Sequence, residues 1–162
     1  MNKNDIYDLL KQKNIWHEIK EHQAVFTVEE AEKNDITYPG CGAKNLFVRD
    51  DKNRAYYLLT VKSDKAVDLK KFRDTYQTRR LSFVSEKYLF DILELIPGAV
   101  TPFGLLNDDE LKVKLFLDKD FLDDRGIIGV HPNDNTATVW LKADDLIHII
   151  KEHGNEINIV EF

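Results

Sequence analysis

Cysteine is almost absent from this 162-residue sequence, in which Cys41 stands alone. A lone cysteine can neither close an internal disulfide nor build a cysteine zinc cluster, and it suits a reducing cytoplasm. No apolar run approaches the roughly 20 residues of a membrane-spanning helix. The opening Met1-Asn2-Lys3-Asn4-Asp5 has no apolar signal core behind it. Glycine-rich phosphate loops of either common kind are missing, and no serine lies in a nucleophile-elbow context. These absences weigh against a membrane protein, a disulfide-stapled secreted one, a nucleotide-loop enzyme and a serine hydrolase.

What is present is ordinary in amount and uneven in placement. Hydrophobic residues make up 43% and charged residues 32%, which predicts a soluble globular chain long enough to bury a core. The net charge of −6 argues against a general nucleic-acid coat. Yet Lys44 to Arg80 carries eleven Lys/Arg against five Asp, so this sector is +6 and the remainder −12. A basic sector on an acidic chain can draw a phosphate backbone to one face, or it can be a solvated surface.

The periodicities predict a helix over 4–13 capped by Asn4 or Asp5, and a strand from Trp16 to His22. Thr27-Val28-Glu29-Glu30 reads as a capping box before a helix through about Lys33. The loop Tyr38-Pro39-Gly40-Cys41-Gly42 feeds a hairpin, 44–48 and 55–61, around the turn 51–54. Asp68 caps a helix with Leu69 and Phe72, Leu81 to Val84 is a short strand, and Ser85 caps a helix reaching Leu95. After an exposed turn over 107–110 comes a strand at 113–117 and a loop over 118–124 with one helical turn. Ile127, Ile128 and Val130 form a buried strand, followed by one from Thr136 to Leu141. A helix from Ala143 to His153, stopped by Gly154, and a strand over 157–160 complete the chain. The expected fold is α/β (α+β): one domain over 1–162 around a mixed sheet.

Three places invite chemistry. His131 ends a strand at the lip of the turn Pro132-Asn133-Asp134-Asn135, where side chains often reach a cleft. Lys44 opens the hairpin and is suited to holding a phosphate, polarising a carbonyl or forming a surface ion pair. Pro97-Gly98-Ala99-Val100-Thr101-Pro102-Phe103-Gly104 is a breaker cluster without charge, which predicts packing or pocket lining instead of solvation. Cys41 and His131 form a formal nucleophile–base pair that nothing brings together. His148 and His153, five apart on a helix, do not share a face as metal ligands would.

Gly42-Ala43-Lys44-Asn45-Leu46-Phe47, Pro97 to Leu105, and Val130-His131-Pro132-Asn133-Asp134-Asn135-Thr136 together resemble the free-standing prolyl-tRNA editing proteins of the YbaK/prolyl-tRNA synthetase-associated domain superfamily. Thr27 to Ala31 and Arg80 to Phe83 extend the resemblance over nearly the whole chain. It implies a mixed, mostly antiparallel sheet or partial barrel flanked by helices. It implies a deacylase of mischarged tRNA(Pro), most often carrying alanine, that uses no protein nucleophile, cofactor or metal. Where many relatives have Phe-His-Pro-Leu, this chain has Val130-His131-Pro132-Asn133, a departure that bears on which amino acid is removed.

By the same resemblance Lys44, Gly98 and His131 are catalytic. Lys44 would grip the terminal phosphate, and backbone N–H groups of the glycine loop would support oxyanion charge. His131 and Asn45 would shape the pocket. Thr27, Ala99, Val100, Thr101, Pro102 and Asn133 would contact substrate, and the charge of the basic sector makes Lys70, Lys71 and Arg73 the expected tRNA-binding residues. The resemblance implies that water, activated by the terminal ribose hydroxyl, would attack the ester. Removal of cysteine or another small residue, or a non-catalytic module binding tRNA or prolyl-tRNA synthetase, is the competing reading.

Overall fold

The computed structural model describes residues 1–24 and 37–162. In chain order the first elements are α1 (Lys3–Gln12), β1 (His17–Glu21), β2 (Ala43–Asp50), β3 (Tyr56–Lys62), α2 (Leu69–Tyr76), β4 (Leu81–Phe83) and α3 (Glu86–Leu93). A 3₁₀ helix (Pro102–Asn107) leads to β5 (Val113–Asp118), and a second (Lys119–Leu122) to β6 (Ile127–Val130). Then come β7 (Ala137–Lys142), α4 (Ala143–His153) and β8 (Ile157–Val160). The expected helix after Thr27 lies outside the described residues.

The hairpin forms as its alternation predicts, with β2 and β3 antiparallel from Ala43↔Lys62 to Arg49↔Tyr56. Its turn is tied by the Asp50 carboxylate, which accepts the N–H groups of Lys52 and Arg54 at 3.1 and 2.9 Å. β3 is the centre of a five-stranded sheet ordered β4-β2-β3-β5-β8, in which β5 and β8 join in parallel. Tyr56 to Val61 are all buried, the pattern of a strand covered on both faces. One face carries Phe47, Leu58, Leu115 and Leu117 into the main core with α1, α3 and α4. The other sets Val48, Tyr57, Leu59 and Phe116 against Phe72 of α2. The second sheet, β1-β7-β6, is antiparallel throughout. Of the strand pairs in the two sheets, most are antiparallel, and the fold is the mixed α/β architecture expected.

Local differences have physical causes. α1 is capped by Asn2, not Asn4 or Asp5; Asp5 instead returns a bond to the Asn2 N–H, completing a capping box. α3 stops at Leu93 because Glu94 turns left-handed at φ 56°, leaving Leu95 buried beyond it. The turn expected to be exposed at 107–110 hides Asp108, which is 2% exposed. Its carboxylate accepts the N–H groups of Lys112 and Val113 and the Asn155 side chain, so it ends one element, starts another and anchors the C-terminal region.

Candidate active site

The two sheets meet at a single parallel bridge between Gly42 and Gly129, where the Gly129 N–H donates to Cys41 O at 2.9 Å. Side chains two residues apart on a strand share a face. Lys44 lies two positions beyond Gly42 on β2, and His131 lies two beyond Gly129, just past the end of β6. Asn45, by the same alternation, faces the other way with Ala43 and Phe47, and its Oδ1 accepts the Thr60 hydroxyl at 2.6 Å. The junction needs glycine at 129. A Cβ there would lie 2.2 Å from the Trp140 ring, which occupies that space.

His131 is held from several directions. Its Nδ1 donates to Ala137 O at 2.9 Å; a carbonyl only accepts, so the neutral ring keeps its proton on Nδ1 and presents Nε2 as an acceptor. Burial depresses its pKa, and neighbouring His22 adds to the effect, whereas the Ala137 bond and Asp134 oppose it. The turn after it is closed by the Asp134 carboxylate, which accepts the Thr136 N–H at 2.8 Å and the Thr136 hydroxyl. Bonding to that hydroxyl holds the Asp134 carboxyl below its ordinary range. Lys3 reaches Thr136 Oγ1 at 3.1 Å and Glu21 at 2.9 Å, clamping the turn to α1 and β1. Asn133 takes φ 62°, gives its side-chain N–H to Met1 O, and has a buried Oδ1 without a partner among the described residues.

The uncharged loop docks directly on this turn. Thr101, fully buried, donates its hydroxyl to His131 O at 2.6 Å and caps the first 3₁₀ helix, with Pro102 at its start. Gly98 adopts φ 88°, a left-handed conformation suited to glycine. Ala99 N–H donates to Ile96 O, and Gly104 N–H to Thr101 O. Among the described residues the N–H groups of Gly98, Val100 and Thr101 have no hydrogen-bond partner. Ala99 and Pro102 are buried and Val100 half-buried, so what this loop offers is backbone more than side chain.

The remaining expected site residues fall elsewhere. Lys70 and Lys71 are exposed on α2, lining a shallow depression with Asp68, Asp74 and Thr75. Arg73 sits 3.5 Å from Asp74. Thr27 lies outside the described residues. Cys41 is buried with Ile127 and Trp140.

Sequence reasoning passed over His22. Its Nδ1 donates to Gln23 O at 2.8 Å, and its Nε2 accepts the Thr138 hydroxyl at 2.9 Å. Its ring centroid lies 6.1 Å from that of His131. The signal was the one that singled out His131, a histidine at the end of a strand.

A half-buried imidazole whose Nδ1 is tied to a backbone carbonyl, next to a loop with unpaired backbone donors, suits a hydrolase that works without a side-chain nucleophile. The sequence model of the aminoacyl-tRNA editing domain matches residues 22–149. The chain belongs to that family, and with it to the aminoacyl-tRNA deacylases. It is 45% identical over 141 residues to the prolyl-tRNA editing protein ProX of Acetoanaerobium sticklandii, covering 87% of this chain and 85% of that one. It is 33% identical over 148 residues to prolyl-tRNA synthetase associated domain-containing protein 1 of Bos taurus, covering 90% and 86%. Its fold matches the crystal structure of a proposed trans-editing enzyme for prolyl tRNA synthetase with TM-score 0.73 at 17% identity, over 99% and 96% of the chains. Among the described residues no helix is long and apolar enough to cross a membrane.

Proposed function

We propose that residues 1–162 act as one cytoplasmic trans-editing domain that hydrolyses mischarged tRNA(Pro), with Ala-tRNA(Pro) as its main substrate. The observation that carries this reading is the bond from the Thr101 hydroxyl to His131 O, which ties the uncharged loop to the histidine turn, with Lys44 two positions beyond the sheet junction. The name of the 45%-identical relative supports the prolyl-tRNA part. Editing is needed because a proline pocket cannot strongly reject a smaller apolar side chain; such differences give about 1–3 kcal/mol.

In this mechanism water attacks the ester carbonyl, the carbonyl oxygen becomes an oxyanion, and collapse releases the amino acid and the tRNA 3′-terminal hydroxyl. The unpaired N–H groups of Gly98, Val100 and Thr101 are the donors for that oxyanion. His131 Nε2 and Asn133 Oδ1 are acceptors for the amino acid's ammonium group. Lys44 takes the terminal phosphate, and Asn45 supports the hairpin from the core side through Thr60. Lys70, Lys71 and Arg73 meet the tRNA backbone farther out, and prolyl-tRNA synthetase is the partner beside which the domain works.

The test is single-turnover deacylation of alanyl-, cysteinyl- and seryl-tRNA(Pro) by the wild-type protein. Fastest release of alanine supports the reading. Faster release of cysteine reassigns the substrate, and binding of all three without turnover makes the chain a tRNA-binding module.

A further inference from the structure

Besides the imidazoles and the loop, the junction carries a row of aromatic rings that the mechanism leaves unused. Trp140, against Gly129, is 4% exposed. Its ring lies 5.5 Å from that of Tyr38, and Tyr38 meets Trp16 edge-to-face at 6.1 Å. The row thus runs from the glycine bridge outward to Trp16, which is 44% exposed. Two cations sit over its outer members: Arg125 lies 5.9 Å from the Tyr38 ring centre and Lys142 6.0 Å from that of Trp16. Lys142 also donates to Arg125 O at 3.1 Å, so the two belong to one rim. Among the described residues one carboxylate bonds to the row: Glu18 accepts the Tyr38 hydroxyl at 2.7 Å, which fixes the ring's orientation.

An exposed indole flanked by cations is a poor way to finish a protein surface and a good way to hold an unpaired base. Single-stranded nucleic acid is recognised by aromatic faces for the bases and by Lys or Arg for the phosphates between them. The row ends at the bridge from which Lys44 and His131 project, so a strand lying on it has its terminus directed at the site. We propose that Trp16 and Tyr38, with Arg125 and Lys142, form a stacking platform for the unpaired nucleotides next to the esterified 3′ end of the tRNA. This rests on the reading of the chain as a tRNA deacylase, but its test does not require turnover.

The protein has two tryptophans, so Trp140→Phe leaves Trp16 as the sole indole reporter. The emission of that variant is titrated with an uncharged acceptor-stem hairpin carrying its single-stranded 3′ overhang, and with the same stem cut blunt. The expected result is saturable quenching by the overhang hairpin and none by the blunt one. In the otherwise wild-type protein Trp16→Ala lowers affinity for the overhang hairpin about 5- to 150-fold, the range for losing one stacked base. If Trp140→Phe does not fold, the difference between wild-type and Trp16→Phe spectra gives the same readout. Equal quenching by both hairpins, no quenching, or unchanged affinity of Trp16→Ala overturns the proposal. Overhang-dependent quenching in a protein that releases no amino acid would leave the platform standing and remove the deacylase reading.

Discussion

The uncharged loop at 98–107 and the basic sector at 44–80 are built on opposite principles. The loop has no charge to offer and is held tightly: Thr101 bonds His131 O, Asn107 reaches Leu93 O at 2.8 Å, and its apolar residues enter the main core. The basic sector is rich in charge, much of which is already engaged. Lys65 lies between Asp118 and Asp120 at 2.9 and 2.6 Å, Arg79 pairs with Asp51, and Lys62 donates to Gly40 O. A count of charges along the sequence therefore overstates the cation available to a phosphate backbone. The loop shows the converse, since neutrality there goes with backbone donors held for use.

Gly98→Val should break the loop's side of this contrast most severely. Its φ of 88° is hostile to a branched side chain, so the neighbouring N–H groups must turn. Loss of one oxyanion donor lowers rates about 100- to 1000-fold. Single-turnover kinetics on protein checked by circular dichroism measure this, and a folded variant at near wild-type rate would move the chemistry to His131.

Thr101→Val is expected to act through position. It removes the hydroxyl that donates to His131 O in a part-buried bond, a loss of about 0.5–1.5 kcal/mol. The urea midpoint should fall at unchanged slope, and deacylation should weaken with it, although less than in Gly98→Val. An unchanged midpoint would show that this bond does not hold the loop to the turn.

Lys65 and Lys70 separate engaged from available cations. Lys65→Met strips Asp118, whose side chain is fully buried, of its ion partner, and should lower stability by about 1–3 kcal/mol. Lys70→Glu should leave the melting temperature nearly unchanged and weaken tRNA binding mainly at low salt. The reverse outcome would make α2 a structural face.

The smallest effect is set by pH. Burial depresses the His131 pKa below its ordinary imidazole value, so the unfolded chain takes up a proton before the folded one does. The stabilisation is complete above the ordinary value and is lost as pH falls through it toward the folded one. His131→Gln should flatten this acid-side loss in denaturation curves from pH 7 to 5, and an unaltered slope would assign the loss to carboxylates.

Much of this architecture was legible because local rules and tertiary need agreed. The alternation at 113–117, the Ser85 and Asp68 caps and the Gly154 stop all reappear as expected. Two of the misreadings share one cause, a partner distant in sequence. Asp108 looked like a solvated turn residue because Asn155, which it accepts, lies 47 positions away. Lys65 counted as free charge because Asp118 lies 53 positions on. No periodicity announces the Gly42–Gly129 bridge, although Gly42 was visible in a motif. Lys44 and His131 were named from resemblance; the bridge joins the two segments that carry them.

The division of labour between loop and basic sector is tested most directly by one salt series. Single-turnover deacylation of Ala-tRNA(Pro) is followed against enzyme concentration for wild type, Gly98→Val and the double variant Lys70→Glu/Lys71→Glu. The account predicts that Gly98→Val lowers the plateau rate at every salt concentration. It predicts that the double variant chiefly raises the half-saturating concentration, and that its deficit shrinks as salt rises. A plateau lost in the charge variant and kept in Gly98→Val would contradict it.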